Sequence, residues 1–215
     1  TDTAAVAINL GLATNQIVNP NLSLNLKSAV TFENVTGGSR DDTITGNTLD
    51  NVLRGGAGND TLVGGGSIDT LEGGAGNDAQ DGGVGSDTYL FDADTSLGSD
   101  TLTDLFGIET ISFAGTDANV IFSLGLTTPQ SINGGLLTVT LSSATTFDNV
   151  IGGNGNDTLT SGAGTGSLTG GAGNDILIGG AGINTFTGGE GNDQLSGGDG
   201  NDTYLFDADT ALGSD

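Results

Sequence analysis

The sequence contains no cysteine and no histidine, and its basic residues are few. Without cysteine the chain has neither disulfides nor thiolate metal sites, and without histidine it lacks the commonest general base and metal ligand. Three basic residues, Lys27, Arg40 and Arg54, stand against 27 acidic ones and leave a formal net charge of −24. A chain this acidic repels nucleic acids and anionic membrane surfaces, so we expect cations as its partners.

Long apolar runs are also missing. The longest are a few residues, far short of the roughly 20 that a membrane-spanning helix needs, so direct membrane insertion is not expected. Glycine, in contrast, accounts for 41 of the 215 residues, against an ordinary share of about 7%. This excess predicts many turns in which the backbone adopts positive φ. No segment has the length or the period of a helix.

The glycines recur with a period of nine residues. Six consecutive nonapeptides open at Gly37 and six more open at Gly152, each block in unbroken register. Most units fit the pattern Gly-Gly-x-Gly-x-Asp-x-U-x, in which U is apolar, and we number its positions 1 to 9. A second, longer period is visible in the segment TYLFDADTSLGSD at 88–100, which returns as TYLFDADTALGSD at 203–215. We therefore expect the chain to be part of a longer tandem array.

These nonapeptides resemble the repeat of the RTX family of secreted bacterial proteins, a calcium-binding repeat that forms a parallel β-helix. The resemblance implies an all-β fold: right-handed parallel β-rolls with two nonapeptides per coil, joined by β-strand connector segments. It also implies that calcium binds between turns stacked on the same edge of the roll. Because RTX proteins leave the cell unfolded through a one-step secretion channel, the expected location is extracellular or on the bacterial cell surface.

The pattern itself divides each nonapeptide into six turn residues and a three-residue strand. Because side chains alternate along a strand, position 8 faces one side while positions 7 and 9 face the other. One short apolar row is a small core for a chain in which every ordered residue costs entropy, so the turns must add binding energy. The predicted inward row consists of Ile44, Leu53, Leu62, Leu71, Gln80, Tyr89, Leu159, Leu168, Leu177, Phe186, Leu195 and Tyr204.

Position 6 supplies oxygen ligands at the turns. If two units form one coil, residues eighteen apart stack about 4.8 Å apart, and two stacked carboxylates repel by about 3 kcal/mol at an effective dielectric constant near 20. Ca²⁺ reverses that repulsion and takes about six to eight oxygens, whereas Mg²⁺ demands a smaller and more rigid octahedron. The predicted side-chain ligands are Asp42, Asn51, Asp60, Asp69, Asp78, Asp87, Asp100, Asp157, Asp175, Asn184, Asp193 and Asp202.

Backbone carbonyls complete a calcium site that two carboxylates cannot fill, and glycine lets a turn direct them inward. The predicted carbonyl ligands belong to Gly55, Gly56, Gly58, Gly73, Gly74, Gly76, Gly170, Gly171, Gly173, Gly188, Gly189 and Gly191. We expect Ca²⁺ as the cofactor, with several ions per block.

Some units depart from the pattern. Asn51 is expected to weaken its site, and Asn184 together with Gly166 is expected to form the poorest one. Arg40 and Ser67 replace the position-4 glycine, which is expected to disturb their turns.

The blocks divide the chain into five predicted segments. These are a β connector or cap at 1–36, the first roll at 37–90, a second connector or cap at 91–151, the second roll at 152–205 and the start of a further connector at 206–215. Alternating apolar residues predict strands at 21–26 and 136–141. Asp104 and Glu109 lie in a stretch that resembles the segment after RTX rolls. They either cap the last calcium site or are solvated strand ends.

The function that fits this pattern best is structural: a rod, made rigid by calcium, in an extracellular surface, matrix, surface-layer or adhesin-type protein. Neighbouring copies of the chain or cell-surface components are its expected further partners. An alternative is a secretion and folding module of a secreted hydrolase or toxin. Catalysis is not expected, because the carboxylates form a repeated ladder and no nucleophile stands beside a base. An ice-binding face, which needs a regular row of outward threonines, is approached only in alternate units of the second block.

Overall fold

The structure is a computed structural model that describes residues 4–19, 22–25, 31–104 and 106–206. These residues form strands and turns, with one short 3-10 helix at Asn133–Gly135. Within the same residues, no helix is long and apolar enough to cross a membrane. The predicted all-β fold is therefore confirmed.

Successive coils place parallel strands alternately in two walls of a β-solenoid. The first wall is sheet A, whose last strand alone runs antiparallel to its neighbour. In spatial order, sheet A contains β1 (Ala7–Asn9), β5 (Thr43–Thr45), β7 (Thr61–Gly66), β9 (Ala79–Val84), β11 (Gly98–Thr103), β15 (Leu137–Leu141) and β14 (Gln130–Ile132).

The second wall, sheet B, runs through both repeat blocks. In spatial order, sheet B contains β4 (Asn34–Thr36), β6 (Val52–Ala57), β8 (Thr70–Ala75), β10 (Thr88–Leu90), β12 (Glu109–Ser112), β16 (Phe147–Ile151), β18 (Gly166–Ala172), β20 (Asn184–Glu190) and β22 (Thr203–Leu205).

Opposite the second block, the first wall is replaced by sheet C. Its strands are β13 (Ile121–Ser123), β17 (Thr158–Thr160), β19 (Ile176–Ile178) and β21 (Gln194–Ser196). Two further strands, β2 (Asn15–Asn19) and β3 (Leu22–Asn25), form an antiparallel hairpin near the start of the chain. The change from sheet A to sheet C falls between β12 and β16, in the segment at 91–151 that we call the linking segment.

The strand register confirms two nonapeptides per coil. Ile44 pairs with Leu62, and Leu53 pairs with Leu71, so residues eighteen apart are neighbours in the sheets. In the first coil of the linking segment, Leu102 pairs with Gln80, so this coil is four residues longer. Sheet B continues through that segment without a break, and the division into five segments stays a prediction.

The core is the inward row at position 8. Ten of its predicted members are at most 1% exposed, including Gln80, whose side-chain nitrogen and oxygen have no hydrogen-bond partner. The linking segment extends the row with Leu102, Ile111 and Val150, all fully buried. Leu195 is only partly buried and Tyr204 is 41% exposed, because both lie in the last described coil.

The strand predicted at 136–141 is observed as β15. Of the strand predicted at 21–26, the part at 22–25 forms β3, while residues 21 and 26 lie outside the described residues. Most of the last predicted segment, residues 207–215, also lies outside them.

Candidate metal centres

The turns that connect the two walls stack along the edges of the solenoid. On the first edge, the N–H of Asp42 donates to Oδ1 of Asp60 at 2.6 Å. The N–H of Asp60 donates to Oδ1 of Asp78 at 2.8 Å, and the N–H of Asp78 donates to Oδ1 of Asp100 at 2.9 Å. Each position-6 carboxylate therefore ties its coil to the coil before it.

The second edge of block 1 repeats this arrangement. The N–H of Asn51 donates to Oδ1 of Asp69, and the N–H of Asp69 donates to Oδ1 of Asp87, both at 2.7 Å. The row continues into the linking segment, where Oε2 of Glu109 accepts the N–H of Asp87 at 2.7 Å. Asp148 follows, since its Oδ2 accepts the N–H of Glu109 at 3.1 Å.

Glu109 is a position-6 residue of a unit that the sequence reasoning did not count. Residues 104–112 form this unit: Gly107 stands at position 4 with φ of 148°, Glu109 at position 6 and the fully buried Ile111 at position 8. The signal was present in the spacing of these residues. It was hidden because the two position-1 and position-2 glycines are absent and a glutamate replaces the aspartate.

Block 2 has one edge of carboxylates and one edge of mixed residues. On the first, Oδ1 of Asp175 accepts the N–H of Asp157 at 2.7 Å, and Oδ1 of Asp193 accepts the N–H of Asp175 at 2.8 Å. On the other, Oδ1 of Asp202 accepts the N–H of Asn184 at 2.9 Å. Gly166 contributes no side-chain oxygen to this second edge.

The second oxygen of most ladder carboxylates has no hydrogen-bond partner. A buried carboxylate oxygen without a donor carries a large desolvation cost, and it is the kind of ligand that a hard cation prefers. The residues concerned are at most 2% exposed. The unpartnered atoms are Oδ2 of Asp60, Asp69, Asp78, Asp87, Asp100 and Asp175, and Oε1 of Glu109.

The first residue of each ladder behaves differently. Oδ2 of Asp42 accepts the N–H of Gly38 at 2.6 Å, and Oδ2 of Asp157 accepts the N–H of Gly153 at 2.6 Å. The amide oxygen of Asn51 accepts the N–H of Asn47 at 2.8 Å. These three side chains bond to their own turn, so fewer of their oxygens remain for a cation.

Glycine allows carboxylate and carbonyl oxygens of successive coils to converge. A Cβ atom added to Gly55 would overlap with Oδ2 of Asp60 and with the carbonyl oxygen of Gly73. Gly56 and Gly58 have φ of 112° and 120°, a region that glycine adopts readily. The twelve predicted carbonyl ligands all lie in such turns, and their coordination of calcium stays a prediction.

Arg40 and Ser67, two of the residues that replace a position-4 glycine, differ from each other in backbone conformation. Ser67 adopts φ of 82° and thus keeps the left-handed backbone that the turn requires. Arg40 does not adopt positive φ. The position-4 glycine in the first turn of block 2, Gly155, also lacks positive φ, so the backbone at Arg40 is not a departure for a first turn.

Burial raises the pKa of several ladder carboxyls. Desolvation is the largest cause, and neighbouring carboxylates add to it, so that the pKa of Asp60 rises to about 6 and that of Asp69 to about 7. In block 2 the pKa of Asp175 rises to about 7 for the same reasons. Groups of this kind lose their protons readily when a cation binds, which couples metal binding to pH.

A family model for the RTX calcium-binding nonapeptide repeat matches the chain in four copies, at residues 36–71, 55–89, 144–168 and 169–204. No curated protein matches the chain. The four copies together cover more than half of the chain and include every position-6 residue of the two repeat blocks. The stacked coils and the register of eighteen agree with this match, and the chain belongs to the family of RTX calcium-binding nonapeptide repeat proteins.

Proposed function

We propose that this chain is a structural segment of an extracellular bacterial protein of the surface-layer, matrix or adhesin type, and that Ca²⁺ folds it into a rigid rod. One observation carries the proposal: buried carboxylates stack along the edges, and most of them have an oxygen that no protein group satisfies. The chain acts by holding its shape, and catalysis is not part of its role.

Dependence of folding on calcium follows from the same carboxylates. Without a cation, each stacked pair repels by about 3 kcal/mol at an effective dielectric constant near 20. Burial of the single inward row contributes too little free energy to offset the repulsion of many such pairs. Because the binding geometry does not exist in the unfolded chain, the free energy of metal binding is also folding free energy.

The extracellular location is part of the proposal and sets the calcium affinity that we expect. Extracellular calcium modules bind Ca²⁺ at about 10⁻⁴ to 10⁻³ M. A chain with sites of this strength stays unfolded at low cytosolic calcium and folds after export.

The rod shape is supported by the continuity of sheet B. Its nine strands, spaced about 4.8 Å apart, extend over roughly 38 Å. Each coil contacts only its neighbours, so further coils lengthen the rod without changing its cross-section. The long period in the sequence fits a tandem array of such units better than a single folding module attached to a hydrolase or toxin.

The test is a calcium titration followed by far-UV circular dichroism, starting from chain treated with EDTA. We expect a cooperative coil-to-β transition near about 1 mM Ca²⁺ and none with Mg²⁺. Asp78→Asn should shift the transition to higher calcium, whereas Asp199→Asn, which removes an exposed charge, should leave it in place. A spectrum already rich in β structure in EDTA, and indifferent to Ca²⁺, would refute the proposal.

A further inference from the structure

Residues 4–36, which we call the opening segment, repeat the local structure of the second half of the linking segment. In the linking segment, Oε1 of Gln130 accepts the N–H of Ser123 and its Nε2 donates to the carbonyl oxygen of Ser123, both at 2.8 Å. The side chain of Gln16 bridges the two backbone groups of Asn9 in the same way, both at 2.7 Å. The same glutamine therefore closes the same turn in both segments.

Both segments also begin a roll in the same way. β1 pairs in parallel with β5, the first strand of block 1, and β13 pairs in parallel with β17, the first strand of block 2. The N–H of Val6 donates to Oδ1 of Asp42, and the N–H of Val120 donates to Oδ1 of Asp157. The opening segment is thus a second version of the part of the linking segment that starts block 2.

The linking segment, however, also contacts the roll before it. Its hairpin of β14 and β15 adds β15 in parallel to β11, and β16 pairs in parallel with β12. The counterparts in the opening segment are the hairpin of β2 and β3, and β4. Among the described residues, β3 pairs only with β2, and β4 is an edge strand of sheet B. The opening segment therefore presents two strand edges that are occupied in the linking segment.

An exposed phenylalanine lies two residues before β4. Its counterpart in the linking segment, Phe147, is 3% exposed and packs edge to face against Tyr89, with the ring centroids 5.8 Å apart. Phe32 itself is 42% exposed. In the last described coil, Tyr204, the counterpart of Tyr89, is 41% exposed. Phe32 and Tyr204 are thus the two members of an aromatic pair that the linking segment brings together.

We propose that the opening segment is a docking face for the end of another roll of this same sequence. β3 and β4 pair with that roll's equivalents of β11 and β12, and Phe32 packs against the tyrosine of its last repeat unit. The contact is head to tail, so it joins rolls end to end in an open array. This inference rests on the proposed function and names the partner that the end of the rod takes.

The choice of partner follows from the shape of the face. A strand edge without a neighbour is a template for pairing with another chain, and strand pairing alone would accept many partners. Here the partner must supply parallel strands to two edges at once, with an aromatic ring between them. The last described coil offers such a ring, since Tyr204, Leu205 and Phe206 are exposed, and the segment TYLFDAD at 203–209 repeats 88–94. The end of a roll of this sequence therefore fits the face.

A longer chain made of the protein's own repeats tests the docking. Residues 1–115 are placed directly before Asp2 of the full chain, so that a second copy of the opening segment stands where the linking segment follows residue 115. β4 and its counterpart β16 are five strand spacings apart in sheet B, so a docked roll should lengthen the folded particle by about 24 Å. Small-angle X-ray scattering in saturating Ca²⁺ measures this length, and a roll that does not dock would give a broad distribution of distances.

Phe32 occurs twice in this longer chain, which supplies a matched control. Phe32→Asp in the second copy, at the junction of the rolls, should separate them and broaden the distribution of distances. Phe32→Asp in the first copy, where the ring is exposed, should leave the particle unchanged. Equal effects of the two substitutions, or a broad distribution without any substitution, would refute the docking.

The outcomes separate the docking face from the proposed function. Circular dichroism of the longer chain shows whether Ca²⁺ folds it. If Ca²⁺ folds the chain but the rolls scatter as separate bodies, the docking face is refuted while the proposed function stands. If the chain is folded in EDTA and indifferent to Ca²⁺, but forms one particle that Phe32→Asp at the junction separates, the docking face is supported while the proposed function fails.

Discussion

The two repeat blocks share one register but differ in the side chains along their edges. In block 1, both edges carry acidic residues at position 6 as far as Asp100 and Glu109, with Asn51 as the one exception. In block 2, one edge carries Asp157, Asp175 and Asp193, whereas the other has Gly166 and Asn184 in place of acidic residues. Both edges of block 2 nevertheless belong to regular parallel sheets.

This difference shows that coil stacking and cation binding require different properties of the side chains along the edges. Stacking needs a side-chain acceptor for an N–H of a neighbouring coil, and an amide can meet that need as a carboxylate does: Oδ1 of Asn149 accepts the N–H of Ser167, in the following coil, at 2.9 Å. Charge is needed only to bind a cation. Block 2 should therefore form its coils with fewer ions than block 1.

The largest expected effect concerns the tight turns. Gly74 has φ of 98°, and a Cβ there would overlap with the carbonyl oxygen of Gly56. We expect Gly74→Ala to lower the free energy of unfolding in saturating Ca²⁺ by about 2 to 5 kcal/mol, from backbone strain of about 1 to 2 kcal/mol and overpacking of about 1 to 3 kcal/mol. Urea denaturation followed by circular dichroism measures it.

Gly164 in block 2 is the matched control. It does not have positive φ, and a Cβ there would meet no atom within 4 Å. Gly164→Ala should therefore change the free energy of unfolding by less than about 1 kcal/mol. If Gly74→Ala and Gly164→Ala lowered the free energy of unfolding by the same amount, the close packing around Gly74 would not be the cause of its effect.

A smaller effect is expected when charge is exchanged between the edges of block 2. Asp175→Asn should cost about 1.5 to 3 kcal/mol of calcium-dependent stability, the range of a charge-assisted contact, and should raise the calcium midpoint of folding. Asn184→Asp, next to Asp202, should lower that midpoint because it adds a carboxylate to the depleted edge. Circular dichroism titrations of both variants measure the two shifts.

Both substitutions are isosteric, and one removes a negative charge while the other adds one, so each serves as the control of the other. Shifts of the midpoint in the same direction would mean that the amide-to-carboxylate change acts through packing and not through cation binding. The proposed role of position 6 would then be wrong for this edge.

The smallest expected effect is the response of the metal-free chain to pH. Burial raises the pKa of Asp69 and Asp100 to about 7 and that of Glu109 to about 8 in the folded chain. A raised pKa in the folded state means that protonation stabilises it, so the stabilisation is complete below the ordinary pKa near 4 and is lost as the pH rises through about 6 to 8.

In EDTA we therefore expect β structure to increase as the pH falls from about 8 to about 5. Amide hydrogen exchange resolved by peptide should show more protection at low pH in block 1, where more of the carboxyls with raised pKa lie, than in block 2. An equal gain of protection in the two blocks, or a loss of protection on acidification, would contradict the assignment of the pH response to the carboxyls of block 1.

The sequence predicted the coil, the inward row and the stacking of position 6, because all three depend on a period that twelve units repeat. It did not predict that Asp42 and Asp157 bond to the N–H groups of their own turns, since this depends on being first in a ladder. It left Asp104 and Glu109 either as caps of the last calcium site or as solvated strand ends, because Asp104 replaces a glycine and the longer coil shifts the spacing by four residues. The exchange of sheet A for sheet C had no signal in the repeat.

The longer coil has a consequence for protein engineering. Of the extra residues at 91–94, Phe91 and Ala93 are buried in the core while Asp92 and Asp94 are exposed, and the strands on either side keep their partners. A turn that already accepts additional chain without changing the pairing is a suitable position for inserting a foreign peptide. An epitope or a labelling tag placed after Asp94 in every copy of the long period should be displayed at regular intervals along the array.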